Sequence, residues 1–138
     1  MSKVYFESTS HIEVPFYDLD PMNIVWHGNY IKYLEVARCE LLEKLNYSYV
    51  NMKEDGFAYP VATMDLKFIK PATFGQKLEI VTKIVELEPC LIMKYTIFDE
   101  RSREKLFSAK TMQICIDTKT GKSLYSAPQG LLERTGNV

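Results

Sequence analysis

From Asn29 to Leu45 the chain repeats its apolar residues at helical spacing, and this is its one long helical pattern. Tyr30, Leu34, Ala37, Leu41 and Leu45 follow steps of four, three, four and four, which puts them on one stripe of an α-helix. Lys32, Glu35, Arg38, Glu40, Glu43 and Lys44 fall mostly off that stripe, and Glu40 precedes Lys44 by the favourable four residues. The pattern predicts a helix of about 16–18 residues, roughly 25 Å long. Asn29 is the better-placed N-cap and Asp20 the alternative, with Gly28 allowing a sharp entry. A helix with one apolar stripe needs a surface to bury it.

The rest of the chain supplies strands. Ile12, Val14 and Phe16 alternate with polar residues, so His11 to Phe16 reads as a half-buried strand with Pro15 at its edge or end. After a short turn or helix from Tyr47 to Gly56, the period drops to two. Ala62, Met64, Leu66 and Phe68 share one side of a strand that closes at Lys70-Pro71. Beyond the turn Phe74-Gly75-Gln76, Leu78, Ile80 and Ile84 share a face, with Val81 and Val85 opposite. Glu88-Pro89-Cys90 reads as a hairpin connection into a strand carrying Leu91, Met93, Tyr95 and Ile97 on one side. A charged turn, Asp99 to Glu104, leads to a long strand from Lys105 to Ile116, a polar turn at Asp117 to Lys122 and a short final helix from Pro128 to Arg134. Helix and strands are segregated, which predicts an α+β fold with an antiparallel sheet of about five strands. Long strands curve, and a curved sheet wrapped around one central helix is the layout of a hotdog fold.

At 138 residues and 16.0 kDa the whole chain, 1–138, is expected to form a single domain. A net charge of −1 gives no electrostatic case for nucleic acid, while leaving room for a local basic patch toward an anionic ligand. Cys39, Cys90 and Cys115 are scattered and odd in number, which argues for reduced, packed thiols. Met1 to Ser10 lack the apolar run of a signal peptide, and no window has the length of a membrane span. The expected location is cytoplasmic.

The chemistry concentrates where the first strand leads into the helix. Asp18 and Asp20 precede His27 in a loop dense in turn formers. On residue types alone, Asp20 before Pro21 is an Asx-turn more often than a catalytic group, and His27 a helix-start residue as often as a reactive one. Asp18, Asp20 and His27 could ligate a cation, but turn-capping is the simpler role, so no metal and no cofactor is expected. Trp26 and Tyr30 are most simply core or subunit-contact aromatics. Arg101, Arg103 and Lys105 are most simply a solvated turn, although they could touch an anionic ligand.

Asp18-Leu19-Asp20-Pro21-Met22-Asn23-Ile24-Val25-Trp26-His27-Gly28-Asn29-Tyr30 resembles the signature of the hotdog-fold acyl-CoA thioesterases of the 4-hydroxybenzoyl-CoA thioesterase-like family. Glu35 and Arg38 resemble its helix continuation, Asp65 to Ala72 its second block, and Asp117 to Lys122 its last hairpin. The resemblance implies that Asp20 is the catalytic carboxylate and that His27 marks the helix N-terminus facing the thioester carbonyl. It further implies that Tyr30, Thr63 and Asn23 contact substrate. Asn23 stands where the family usually has glycine, and Asn is the residue next most tolerant of positive φ. The implied reaction is hydrolysis of an acyl-CoA to free acid and coenzyme A by a homodimer or homotetramer, with acyl carrier protein as a further candidate partner. Alternatives are a hotdog acyl-thioester hydratase or dehydratase, and a non-catalytic acyl-CoA or carrier-protein binding protein. Tyr47, Tyr49, Phe57 and Tyr59 are expected to offer a mixed acyl lining.

Overall fold

The computed structural model describes residues 3–136. Met1 and Ser2 of the N-terminal stretch, and the last two residues of the predicted domain span, lie outside the described residues. A five-stranded antiparallel sheet in the order β1-β4-β5-β6-β3 forms the body. Its strands are β1 (Phe6–Glu13), β3 (Val61–Phe68), β4 (Lys77–Glu86), β5 (Leu91–Asp99) and β6 (Lys105–Gln113). A smaller sheet joins β2 (Phe57–Ala58), β7 (Cys115–Asp117) and β8 (Ser123–Leu124). Helix α1 (Asn29–Lys44) packs on β1 and β4, while α2 (Tyr49–Glu54) and α3 (Gln129–Arg134) are single short turns of helix. Among the described residues no helix is long and apolar enough to cross a membrane.

The predicted stripe is the buried one. Tyr30, Leu34, Ala37 and Leu41 lie in one core with Leu78, Ile80, Ile84, Leu91, Met93, Ile97 and Phe107. Removing such side chains from water is the main favourable contribution to folding. Alternation along β4 and β5 also follows the expected phase, with Leu78, Ile80, Leu91, Met93, Tyr95 and Ile97 inward.

Five local expectations are corrected. The first strand is Phe6–Glu13, and it ends before Pro15, which instead caps a 3₁₀ turn at Phe16–Asp18. Its inward residues near the helix end are Ser8 and Ser10, so no apolar alternation announced it. The long strand from Lys105 breaks at Ile114, whose N–H donates to Pro60 O at 3.1 Å, and Cys115–Asp117 cross into the small sheet. The N-cap of α1 is Gly28, without a side-chain cap bond. Arg38 is buried, because position 38 flanks the stripe, and its guanidinium donates to Tyr49 Oη at 2.8 Å and Tyr95 Oη at 3.4 Å and pairs with Glu35. Finally, β3 keeps the predicted period, but only Met64 and Leu66 are even partly covered. Helix α1 packs mainly on β1 and β4 at the other end of the sheet, so β3 is covered only in part, with Phe68 meeting Tyr30 edge-on at 5.3 Å.

Candidate active site at the entrance of helix α1

Two backbone bridges shape the loop between β1 and α1, pairing Leu19 with Val25 and Ile24 with Thr73. Inside it, Asp20 N–H donates to Ile24 O and Asn23 N–H to Asp20 O, each at 2.9 Å. This tight turn places Asn23 at φ 63°, the left-handed region expected of the residue standing in for glycine. Asp20 Oδ1 accepts Met22 N–H at 2.8 Å, an Asx-turn bond, whereas Oδ2 has no hydrogen bond among the described residues. The carboxylate therefore shapes the turn with one oxygen and leaves the other unbonded among the described residues.

Asp18 fastens this loop to the helix. The residue is 2% exposed, and its carboxylate accepts Tyr33 O–H and Lys32 N–H, both at 2.6 Å. Its carbonyl accepts Trp26 N–H at 3.0 Å and the Asn29 side-chain amide at 2.9 Å. Burial, followed by the neighbouring Asp18 carboxylate, pushes the Tyr33 phenol far above its ordinary range. Asn29, the expected cap, thus spends its side chain on the loop. A Cβ at Gly28 would come within 2.2 Å of the Trp26 ring, so a larger residue there would have to displace that half-exposed ring.

Asp20, His27 and Tyr30 meet around a pocket of about 250 Å³, together with Ile24, Val25 and Phe68-Ile69-Lys70-Pro71. Neither His27 nor Gly28 donates its backbone N–H to any acceptor among the described residues, so both amides are available at the helix entrance. The Tyr30 ring stacks on Phe107 at 4.7 Å, and its hydroxyl accepts Ala72 N–H at 3.1 Å. Burial raises the Tyr30 phenol. The Lys70 ammonium, which borders the pocket, is paired with Glu104 at 2.9 Å.

Asn23 and Thr63 are not among the pocket-lining residues: Asn23 acts through the backbone turn, and Thr63 sits exposed on β3. The expected acyl lining is also elsewhere. Tyr47 and Tyr59 are core residues, and Tyr49 bonds Arg38 and the Gln113 side-chain amide. Among the described residues no group of His, Cys, Asp and Glu side chains could hold a metal ion. The sequence reading did not name Phe68, Ile69 and Lys70 as pocket residues, although the block Asp65 to Ala72 was the signal that contained them.

A loop-borne carboxylate facing a helix entrance, on one helix wrapped by an antiparallel sheet, defines a hotdog-fold thioesterase architecture. Residues 14–134 match the thioesterase-like superfamily, and the chain belongs to that family. It is 37% identical over 82 residues to Helicobacter pylori acyl-CoA thioesterase YbgC, an alignment covering 59% of each chain. It is 24% identical over 106 residues to Escherichia coli acyl-CoA thioester hydrolase YbgC, covering 77% of this chain and 79% of that one. Staphylococcus aureus DHNA-CoA thioesterase superposes with a TM-score of 0.79 at 30% identity, over 86% of this chain and 80% of that one.

Proposed function

We propose that this chain hydrolyses an acyl-CoA thioester to the free acid and coenzyme A, with Asp20 as its catalytic carboxylate. The observation that carries the reading is the pocket shared by Asp20, the His27 entrance of α1 and Tyr30. In the general-base route, Asp20 takes a proton from a water as that water attacks the thioester carbon. In the nucleophilic route, Asp20 attacks the carbon itself and water releases the acid from the resulting anhydride. In both routes the C–S bond breaks, its electron pair leaves on sulfur, and the thiolate gains a proton. The developing oxyanion faces the free amides of His27 and Gly28, where partial positive charge favours it. One such donor is typically worth roughly 3–4 kcal/mol in the transition state.

A second copy of the chain completes the picture. The open edge of β3 and the exposed Trp26, Phe68 and Ile69 beside the pocket are surfaces that a partner would cover. Antiparallel pairing of two β3 edges about an axis between Asp65 and Leu66 would bring the partner's Thr63 opposite Phe68, beside the pocket. The three thiols, all unpaired, suit a reducing cytoplasm.

Thiol release measured across short, long and aromatic acyl-CoAs, and with an acyl carrier protein thioester, tests the activity and its carrier. Asp20→Asn should keep the fold and lower kcat by roughly 10²–10⁴, the range of a lost general base. Near-normal turnover in that variant would overturn the assignment. Absorbance of a new double bond without thiol release would favour a dehydratase instead.

A further inference from the structure

On the sheet face turned away from α1, the strand register lines up lysines. Lys83 on β4 lies directly opposite Lys94 on β5, which lies directly opposite Lys110 on β6. With neighbouring strands about 4.8 Å apart, the row spans roughly 10 Å. Like charges directly opposite on adjacent strands oppose folding, so the Lys83–Lys94 and Lys94–Lys110 pairs work against the sheet, while Glu7 opposite Lys83 and Asp65 opposite Lys110 offset the charge at the two ends of the row. Lys83 approaches Glu7 at 3.9 Å, but Lys94 and Lys110 form no ion pair among the described residues.

The next residues deepen the pattern. Lys67, Lys94, Lys105 and Lys110 border a groove of about 370 Å³, and Asp65 is the one acid on its wall. Thr96 and Ser108, paired across β5 and β6, line the same groove, and neither hydroxyl has a hydrogen bond among the described residues. Four ammonium groups and two hydroxyl donors around one concavity match an anion rich in oxygen acceptors. A like-charged face of a second copy would be repelled.

We propose that this groove binds a small organic phosphate carrying at least two negative charges, held by Lys67, Lys94, Lys105 and Lys110. Two sources share that chemistry, the nucleotide end of a coenzyme A thioester and a free phosphorylated metabolite. The first source rests on the function proposed above. Edge strand β3 contributes Asp65, Leu66 and Lys67 to the groove and Phe68 to the pocket beside Asp20.

The test compares the wild-type protein with a Lys94→Gln/Lys110→Gln variant, both side chains being exposed. Calorimetric titration with adenosine 3′,5′-bisphosphate and with inorganic pyrophosphate should show binding to the wild type that weakens with added salt. The double variant should bind at least about tenfold more weakly, the ratio expected when roughly 1.4 kcal/mol of attraction is lost. Equal binding by both proteins, or no binding by either, overturns the proposal. A kinetic arm separates the sources. If KM rises for acyl-CoA and not for acyl-pantetheine, with kcat unchanged, the phosphate belongs to the substrate. If both KM values stay constant while phosphate binding is lost, the ligand is a separate metabolite. Failure to detect thioester hydrolysis at all would remove the proposed activity and leave the titration to decide the groove.

Discussion

Two aspartates stand two positions apart in one loop, and burial separates their roles. Asp18 is enclosed and spends both carboxylate oxygens on Tyr33 and Lys32, whereas Asp20 keeps one oxygen uncommitted at the pocket. Asp18→Ala should leave the Tyr33 hydroxyl buried without an acceptor and destabilise the fold by about 1–3 kcal/mol, read by urea denaturation. The same variant should lower kcat, because the loop carrying Asp20 loses its anchor on α1. A different carboxylate adds a pH-dependent contribution to stability. Asp99 is held down at about 2, from an ordinary 3.8, by the Ser102 N–H, the Gln76 amide and the Ser102 hydroxyl. A depressed carboxylate stabilises the fold above its unfolded value and stops doing so as pH falls through its folded value. Asp99→Asn should therefore unfold at lower urea than wild type at neutral pH, with the gap closing between about pH 4 and pH 2.

At the level of elements, α1 serves two surfaces. Its stripe fills the core, and its entrance leaves the His27 and Gly28 amides without an acceptor among the described residues, His27 lining the pocket. Arg38 ties its middle to the sheet through Tyr95, whose hydroxyl also meets Thr111 at 2.8 Å. The outer face of β4, β5 and β6 behaves differently, since its lysine row opposes the pairing of those strands. Lys94→Thr removes one repulsion on each side and places a β-branched residue in a strand. Its unfolding free energy should rise by about 0.2–1 kcal/mol, measured in denaturant at low salt. A loss of stability would mean that the row is neutralised in some other way.

Across the whole molecule, the sheet is open at β1 and β3, and Val61, Phe68 and Ile69 leave apolar side chains exposed on or just after β3. Phe68 is 51% exposed and Trp26 49%, both next to the pocket. An uncovered edge strand with apolar neighbours is a surface that pairs with another chain. Sedimentation velocity should therefore find a dimer or a larger closed assembly. Ala62→Glu, placed on exposed β3, should cost a lone chain little and yet shift the protein toward monomer. Thioesterase activity should fall with it if the partner's Thr63 serves the pocket, whereas a fully active monomer would count against a shared site.

Local windows of sequence determined the α1 stripe, the two-residue periods of β4 and β5, and the turns at Gly75 and Gly121, whereas the positive φ of Asn23 followed from the family resemblance, where it stands for glycine. These follow from side-chain periodicity and backbone sterics, which act over a few residues. The acidic loop was legible for the same reason, including the Asx-turn of Asp20 before Pro21. Only the tertiary structure decided that Ser8 and Ser10 lie in a strand, that the chain changes sheets at Ile114, and that Arg38 is enclosed by phenols. It also decided which wall closes the Asp20 pocket, since Phe68 to Pro71 come from a distant strand end. The lysine row belongs to the same class. Lys83, Lys94 and Lys110 are scattered in the sequence, and strand register alone sets them side by side. Register depends on pairing between remote segments, which no local pattern encodes.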